Sequence, residues 1–187
     1  MTARPLRADA QRNRDRLLGV AVRAFSQDGP DVTLDAIARE AGVGIGTLYR
    51  HFPTREVLVE EAYRSELARL CEGAAELSAS ESPDVALRAW MARYLDYMVT
   101  KRGMADALRS VIASGGTPYA HSRDRLLGAI DLLLSNAKGI LRSDVDSGDV
   151  LAALMGASLV AGEPTQRDLA DRMLDLLMDG LRFHRKT

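Results

Sequence analysis

A single cysteine, Cys71, stands in this chain of 187 residues, so no disulfide can form within it, and such usage fits a reducing compartment. No run of about 20 apolar residues occurs, and a membrane span is not expected. The opening residues carry arginines but lack the apolar stretch of a secretory signal, which makes a cytoplasmic protein the expectation. Repeats and low-complexity tracts are missing, and Gly and Pro do not cluster. Alternating β-branched residues are almost absent, whereas alanine, leucine and arginine abound, so the chain reads as all-α. Its length suffices for a real core and for one or two domains. No GxSxG, P-loop or glycine-rich dinucleotide turn is found. His51, His121 and His184 are scattered, with no pair at ligand spacing. Neither a metal nor a cofactor is expected, and a helical enzyme is a remote alternative.

The formal net charge of −1 hides an asymmetry. Residues 1–55 hold nine arginines, no lysine and six acids, a net of +3, and the remaining residues carry −4. The excess sits in the first sixteen residues, where Arg4, Arg7, Arg12, Arg14 and Arg16 face only Asp9 and Asp15. A cationic head on a separate body fits this pattern, and a merely solvated tail is the alternative.

Residues 33–52, TLDAIAREAGVGIGTLYRHF, read as a helix, a tight glycine turn and a second short helix. Thr33 suits an N-cap, because its side-chain oxygen can accept from a free N–H of the first turn. Leu34, Ile37, Ala38 and Ala41 recur at i, i+3, i+4 and i+7 and line one helix face. Gly42 is a C′ residue, since glycine takes the left-handed conformation without strain. Val43 plugs the gap between the helices, and Leu48 and Phe52, four apart, point inward. Two helices joined by so short a turn place the second in a DNA major groove.

Residues 8–60 resemble the DNA-binding domain of the tetracycline-repressor (TetR) family of bacterial transcription regulators. The resemblance lies in AGVGIGTLYRHFPTREVL, with Gly42, Gly46, Leu48, Tyr49, Phe52 and Arg55 at the family's spacing. More weakly, TKRGMADALR and GTPYAHSR resemble the regulatory domains of actinobacterial members. The resemblance implies an all-α fold: a three-helix helix-turn-helix DNA-binding domain over 8–68, then a helical bundle for ligand binding and dimerisation over 69–187. It implies a sequence-specific regulator, a homodimer on a palindromic double-stranded DNA operator, and a repressor released by an unknown small-molecule effector. A ligand-independent DNA-binding or architectural regulator is the alternative.

Within this stretch each side chain has a physical part to play. Gly46 lets the backbone approach DNA closely. Arg50 can contact phosphate or bridge guanine O6 and N7. The hydroxyls of Thr33, Thr47 and Tyr49 can reach phosphates. Arg55 is a candidate phosphate clamp, and His51 a phosphate contact, with neutral packing as its alternative. The family often has a small hydroxyl residue and then a basic or polar one after the turn. Gly44 and Ile45 stand there instead, and Ile45 is either half-buried or placed against a thymine methyl.

Helices are expected over 8–26, 55–77, 84–100, 104–113, 119–136, 149–161 and 165–183, besides the pair at 33–52. From Val150 to Gly162 there is no charge, and a helix apolar all round is buried on all sides. With the leucine stripe of the last helix this predicts a dimer interface containing Ala153, Ala157, Leu174 and Leu177, intrachain core being the alternative. Trp90, Tyr94, Tyr97 and Met98 share a broad helix face, either core or an effector pocket. Cys71 reads as a buried filler, a redox sensor being the alternative.

Overall fold

The computed structural model describes residues 3–29, 31–160 and 166–182. Among these lie nine α-helices and no strand: α1 (Ala3–Gln27), α2 (Leu34–Glu40), α3 (Ile45–His51), α4 (Arg55–Ser80), α5 (Pro83–Gly103), α6 (Ala105–Ala113), α7 (Ser122–Asn136), α8 (Ser147–Val160) and α9 (Arg167–Leu181). The all-α expectation holds. The chain divides into two compact units: Met1–Glu66 with Thr100–Pro118, and Leu67–Val99 with Tyr119–Thr187. Helices α4 and α5 each contribute residues to both.

In the first unit the inward stripe of α1, with Leu17, Ala21 and Phe25, is buried, as are Ile37 of α2 and Leu48 of α3, the two helices that α1 packs on. Leu58 and Tyr63 of α4 are also buried. The end of α5 joins this unit without any gap: a Cβ added at Gly103 would collide with the backbone of Ser26 in α1. The break expected at 101–103 is helical, and only Met104 separates α5 from α6.

The second unit is built on α5, whose Leu87, Trp90, Met91, Tyr94 and Leu95 are buried. Pro83 occupies the first helical position, where its missing N–H costs nothing, so α5 starts one residue before the expected Asp84. Helix α7 starts three residues later than expected. His121 takes a left-handed conformation, φ 60°, and interrupts the helical path after Tyr119. Asp146 caps α8, its carboxylate accepting from the N–H of Gly148 at 2.6 Å and of Asp149 at 3.2 Å. The expected ends at Ala161, Thr165 and Phe183 lie outside the described residues.

Charged contacts hold α9 to α5. Asp171 accepts from Arg88 of α5 at 3.3 Å and from Arg167 of α9 at 3.4 Å. Arg88 also donates to Asp175 at 2.8 Å, and Arg167 pairs with Asp96. Helix α8 is covered on one side only. Leu151, Leu154 and Ala157 are buried, whereas Met155 is 51% and Leu159 81% exposed. Ala152, Ala153 and Gly156 are exposed as well.

Candidate nucleic-acid interface

The helix pair at 33–52 is set by its caps. Thr33 accepts from the N–H of Ala36 at 3.2 Å and starts α2. At the other end the N–H of Gly42 donates to Arg39 O at 3.1 Å, and that of Val43 to Ala38 O at 3.0 Å. This paired closure is a Schellman motif, and Gly42 supplies its left-handed residue at φ 66°. Gly44 caps α3 by backbone alone, its carbonyl accepting from Thr47 N–H at 2.8 Å.

Helix α3 is two-sided. Leu48 and its C-cap Phe52 are fully buried. Gly44, Gly46 and Arg50 are exposed, together with Ile45 at 37% and Tyr49 at 48%. Thr47 and His51 are half-buried, the His51 ring lying tilted 6.1 Å from that of Phe52. Arg50 has no ion-pair partner among the described residues. The exposed side of α3 thus offers two backbone positions without side chains, one branched apolar group, a phenol and a free guanidinium.

Arg55, expected as a phosphate clamp, has partners within its own unit. Its guanidinium donates to the carbonyl of Val32 and lies 4.8 Å above the ring of Phe25. It fastens the start of α4 to the α1–α2 connection, and its cation is turned into the unit. Sequence reasoning also missed Arg14, counted only as part of the basic head. Arg14 pairs with Glu61 of α4, and its guanidinium stands 5.4 Å from the centre of the Phe52 ring. Arg23 is likewise taken, by Glu40 of α2 at 2.9 Å, and Arg12 by Asp9. Much of the basic excess therefore holds the head together. The spacing of Arg14, Glu61 and Phe52 in the sequence carries no signal that could have found this clasp.

The other candidate residues lie in the second unit. Trp90, Tyr94 and Tyr97 are buried and Met98 half-buried. Trp90 donates from Nε1 to Leu70 O at 2.9 Å, and the rings of Tyr94 and Tyr97 are 6.2 Å apart. Of the four residues expected at a dimer interface, Ala157 and Leu174 are buried within their own chain. Their side chains take part in intrachain packing. Ala153 is exposed and Leu177 half-buried, and the strongly exposed apolar side chains nearby are Leu159 and, at 72%, Leu176. Cys71 is half-buried, its thiol facing Arg125 O at 3.6 Å, and burial pushes its pKa up. Among the described residues no group of three His, Cys, Asp or Glu could hold a metal ion, and no helix is long and apolar enough to cross a membrane.

A capped helix, a left-handed glycine turn and a second helix with one exposed polar side define a helix-turn-helix DNA-binding protein. Residues 17–62 match the family model of bacterial regulatory proteins, tetR family, and residues 82–183 that of the transcriptional regulator SbtR-like C-terminal domain. The fold is that of a TetR transcriptional regulator from Streptomyces coelicolor, with 53% identity and a TM-score of 0.88 over 92% of this chain and 99% of that one. A TetR transcription regulatory protein from Mycobacterium vanbaalenii is 35% identical, with a TM-score of 0.79 over 96% of this chain and all of that one. HTH-type transcriptional regulators of Staphylococcus aureus are 41% identical over 54 residues, which is 28% of this chain and 29% of theirs. The chain thus matches only 29% of the length of those curated relatives. The chain belongs to the TetR family, and as a member it is a DNA-binding regulator of transcription and not an enzyme.

Proposed function

We propose that this protein is a repressor that binds a near-palindromic operator as a homodimer and is released by a small apolar effector. The observation that carries the reading is the two-sidedness of α3: Leu48 and Phe52 are fully buried while Gly44, Ile45, Gly46, Tyr49 and Arg50 face outward. Gly46 gives the backbone close approach, Arg50 reads guanine or phosphate, and Ile45 meets a thymine methyl. Thr33, Thr47, Tyr49 and His51 supply phosphate contacts. The DNA-binding domain is 8–68, and 69–187 carries regulation and dimerisation. A regulator of this kind works where the bacterial chromosome lies, in the cytoplasm.

Dimerisation follows from apolar surface that one chain leaves open. Leu159 and Leu176 are each more than 70% exposed, on the two helices that pack together in the second unit. A second copy would cover them, with Ala153 and Leu177 at the margin. The effector would lodge against Tyr94, Tyr97 and Met98, where rings give apolar area and the phenols give direction. Trp90 is buried beside them, its ring 6.1 Å from that of Tyr94. To weaken operator binding tenfold, the effector must prefer the released dimer by about 1.4 kcal/mol, and operator DNA must then weaken effector binding by the same factor.

Selection of bound duplexes from a random pool tests the reading. A dimer with two recognition helices enriches a near-palindrome whose half-sites are centred about 34–36 Å apart. Enrichment of a single asymmetric half-site would sink the dimer, and an operator affinity indifferent to every apolar ligand that binds the second unit would sink the release.

A further inference from the structure

The arginines of α1 whose side chains are described divide into those with an acidic partner and one without. Arg12, Arg14 and Arg23 pair with Asp9, Glu61 and Glu40. Arg16 bonds only the neutral amide oxygen of Asn13, at 2.8 Å. Of the acids on α1 and α2, Asp15 accepts from Gln11 at 2.7 Å and Glu40 from Arg23 at 2.9 Å, and neither pairs with Arg16. Arg16 is exposed, and α1 orients it toward the helix-turn-helix turn. Its Nη1 lies 3.7 Å from the point where a Cβ on Gly42 would stand. Gly42 takes the left-handed conformation that ends α2, and the guanidinium lies at van der Waals distance from where its Cβ would stand.

We propose that Arg16 is a DNA-contacting residue, a phosphate clamp supplied by α1 at the turn that precedes the recognition helix. A guanidinium has five N–H donors in a fixed fork, and here one neutral acceptor occupies only part of it. A cation without an acidic partner beside Gly42, in the turn before α3, suits the backbone of the strand that α3 enters. Phosphate contacts of this kind set the register of a recognition helix and carry no sequence information of their own. The proposal rests on reading 33–52 as the DNA-facing surface. It moves the expected clamp from Arg55, whose guanidinium is turned inward, to Arg16, whose guanidinium is not.

The test is titration of the full-length Arg16→Ala, Arg16→Lys and Arg50→Ala proteins against a selected operator and a random-sequence duplex, over a range of salt. Arg16→Ala should bind both duplexes less tightly by a similar factor. Its log–log salt slope should flatten by about 0.9 for each protomer bound. The affinity lost between 50 and 200 mM salt should then shrink about 3.5-fold per protomer. Arg16→Lys, which keeps the charge, should recover the slope. An unchanged slope in Arg16→Ala overturns the proposal, also where its melting temperature falls, for Arg16 would then only stabilise the C-terminal end of α2. Arg50→Ala separates the two failures. If it weakens operator binding while Arg16→Ala does not, the clamp is wrong and the surface right. If neither variant changes binding, the surface itself is misassigned.

Discussion

The guanidinium of Arg14 lies over the ring of Phe52, 5.4 Å from its centre, while it also pairs with Glu61. Phe52 ends the recognition helix and Glu61 sits two turns into α4, so one side chain of α1 ties the orientation of α3 to both neighbours. Arg14→Ala should lower stability by about 1–2 kcal/mol, the sum of a partly shielded cation–π contact and a partly exposed ion pair. Arg14→Lys should keep much of the ion pair and lose the planar stacking. Thermal melts of the three proteins check this, and equal melting temperatures would show that the clasp contributes nothing.

Gly42 has φ 66°, where a Cβ crowds the following carbonyl. Gly42→Ala should cost about 1–2 kcal/mol. Denaturant unfolding of Gly42→Ala and Gly42→Asn reads the cost, and Asn, which tolerates the left-handed region, should be the milder change.

His121 is the one residue other than glycine with a positive φ among those described, and it starts α7. Relief of that conformation by His121→Gly should leave stability unchanged or raise it by up to about 1 kcal/mol. A clear drop would mean that the exposed imidazole, 3.8 Å from Asp124, makes a contribution the backbone strain conceals.

Leu159→Glu and Leu176→Glu should give folded monomers in light scattering, because both side chains are exposed in the single chain. Ala157→Glu should instead unfold the second unit, since a carboxylate buried without a partner costs several kcal/mol. Dimers of Leu159→Glu with unaltered affinity would remove this surface from the interface.

The thiol of Cys71 is held in its protonated form by burial, and the thiolate is the reactive species. At pH 8 iodoacetamide should label it more slowly than it labels free cysteine, and urea should abolish the difference. Labelling at the free rate in the native protein would show an open, unperturbed thiol.

These contrasts show which features could be read from residues alone. Thr33 and Gly42 were legible as caps because a cap depends on a few neighbours in sequence. The inward side of α3 was legible because Leu48 and Phe52 stand four residues apart and so share one helix face. The all-α fold was legible in the composition, rich in alanine, leucine and arginine with almost no β-branched alternation. The fate of Arg55 was not, since it depends on where α1 brings Phe25, and Arg14 depends equally on the placement of Phe52 and Glu61. Helix α8 misled for a different reason. With no charge between Val150 and Val160 it has no polar side to set its rotation, so a wheel could not tell Ala157, which faces its own chain, from Leu159, which does not. Whether the aromatic stripe on α5 serves an effector is likewise beyond any pattern, because core and pocket are lined by the same residue types.

The most direct measurement is the affinity of wild type and Arg50→Ala for the selected operator and for a scrambled duplex, at one fixed salt concentration. If Arg50 reads a base, the operator should lose about 1–3 kcal/mol and the scrambled duplex much less. If it grips phosphate, both should weaken evenly and the salt slope should flatten by about one unit. Either result places the exposed side of α3 on DNA. Wild-type affinity and salt slope in Arg50→Ala would contradict it.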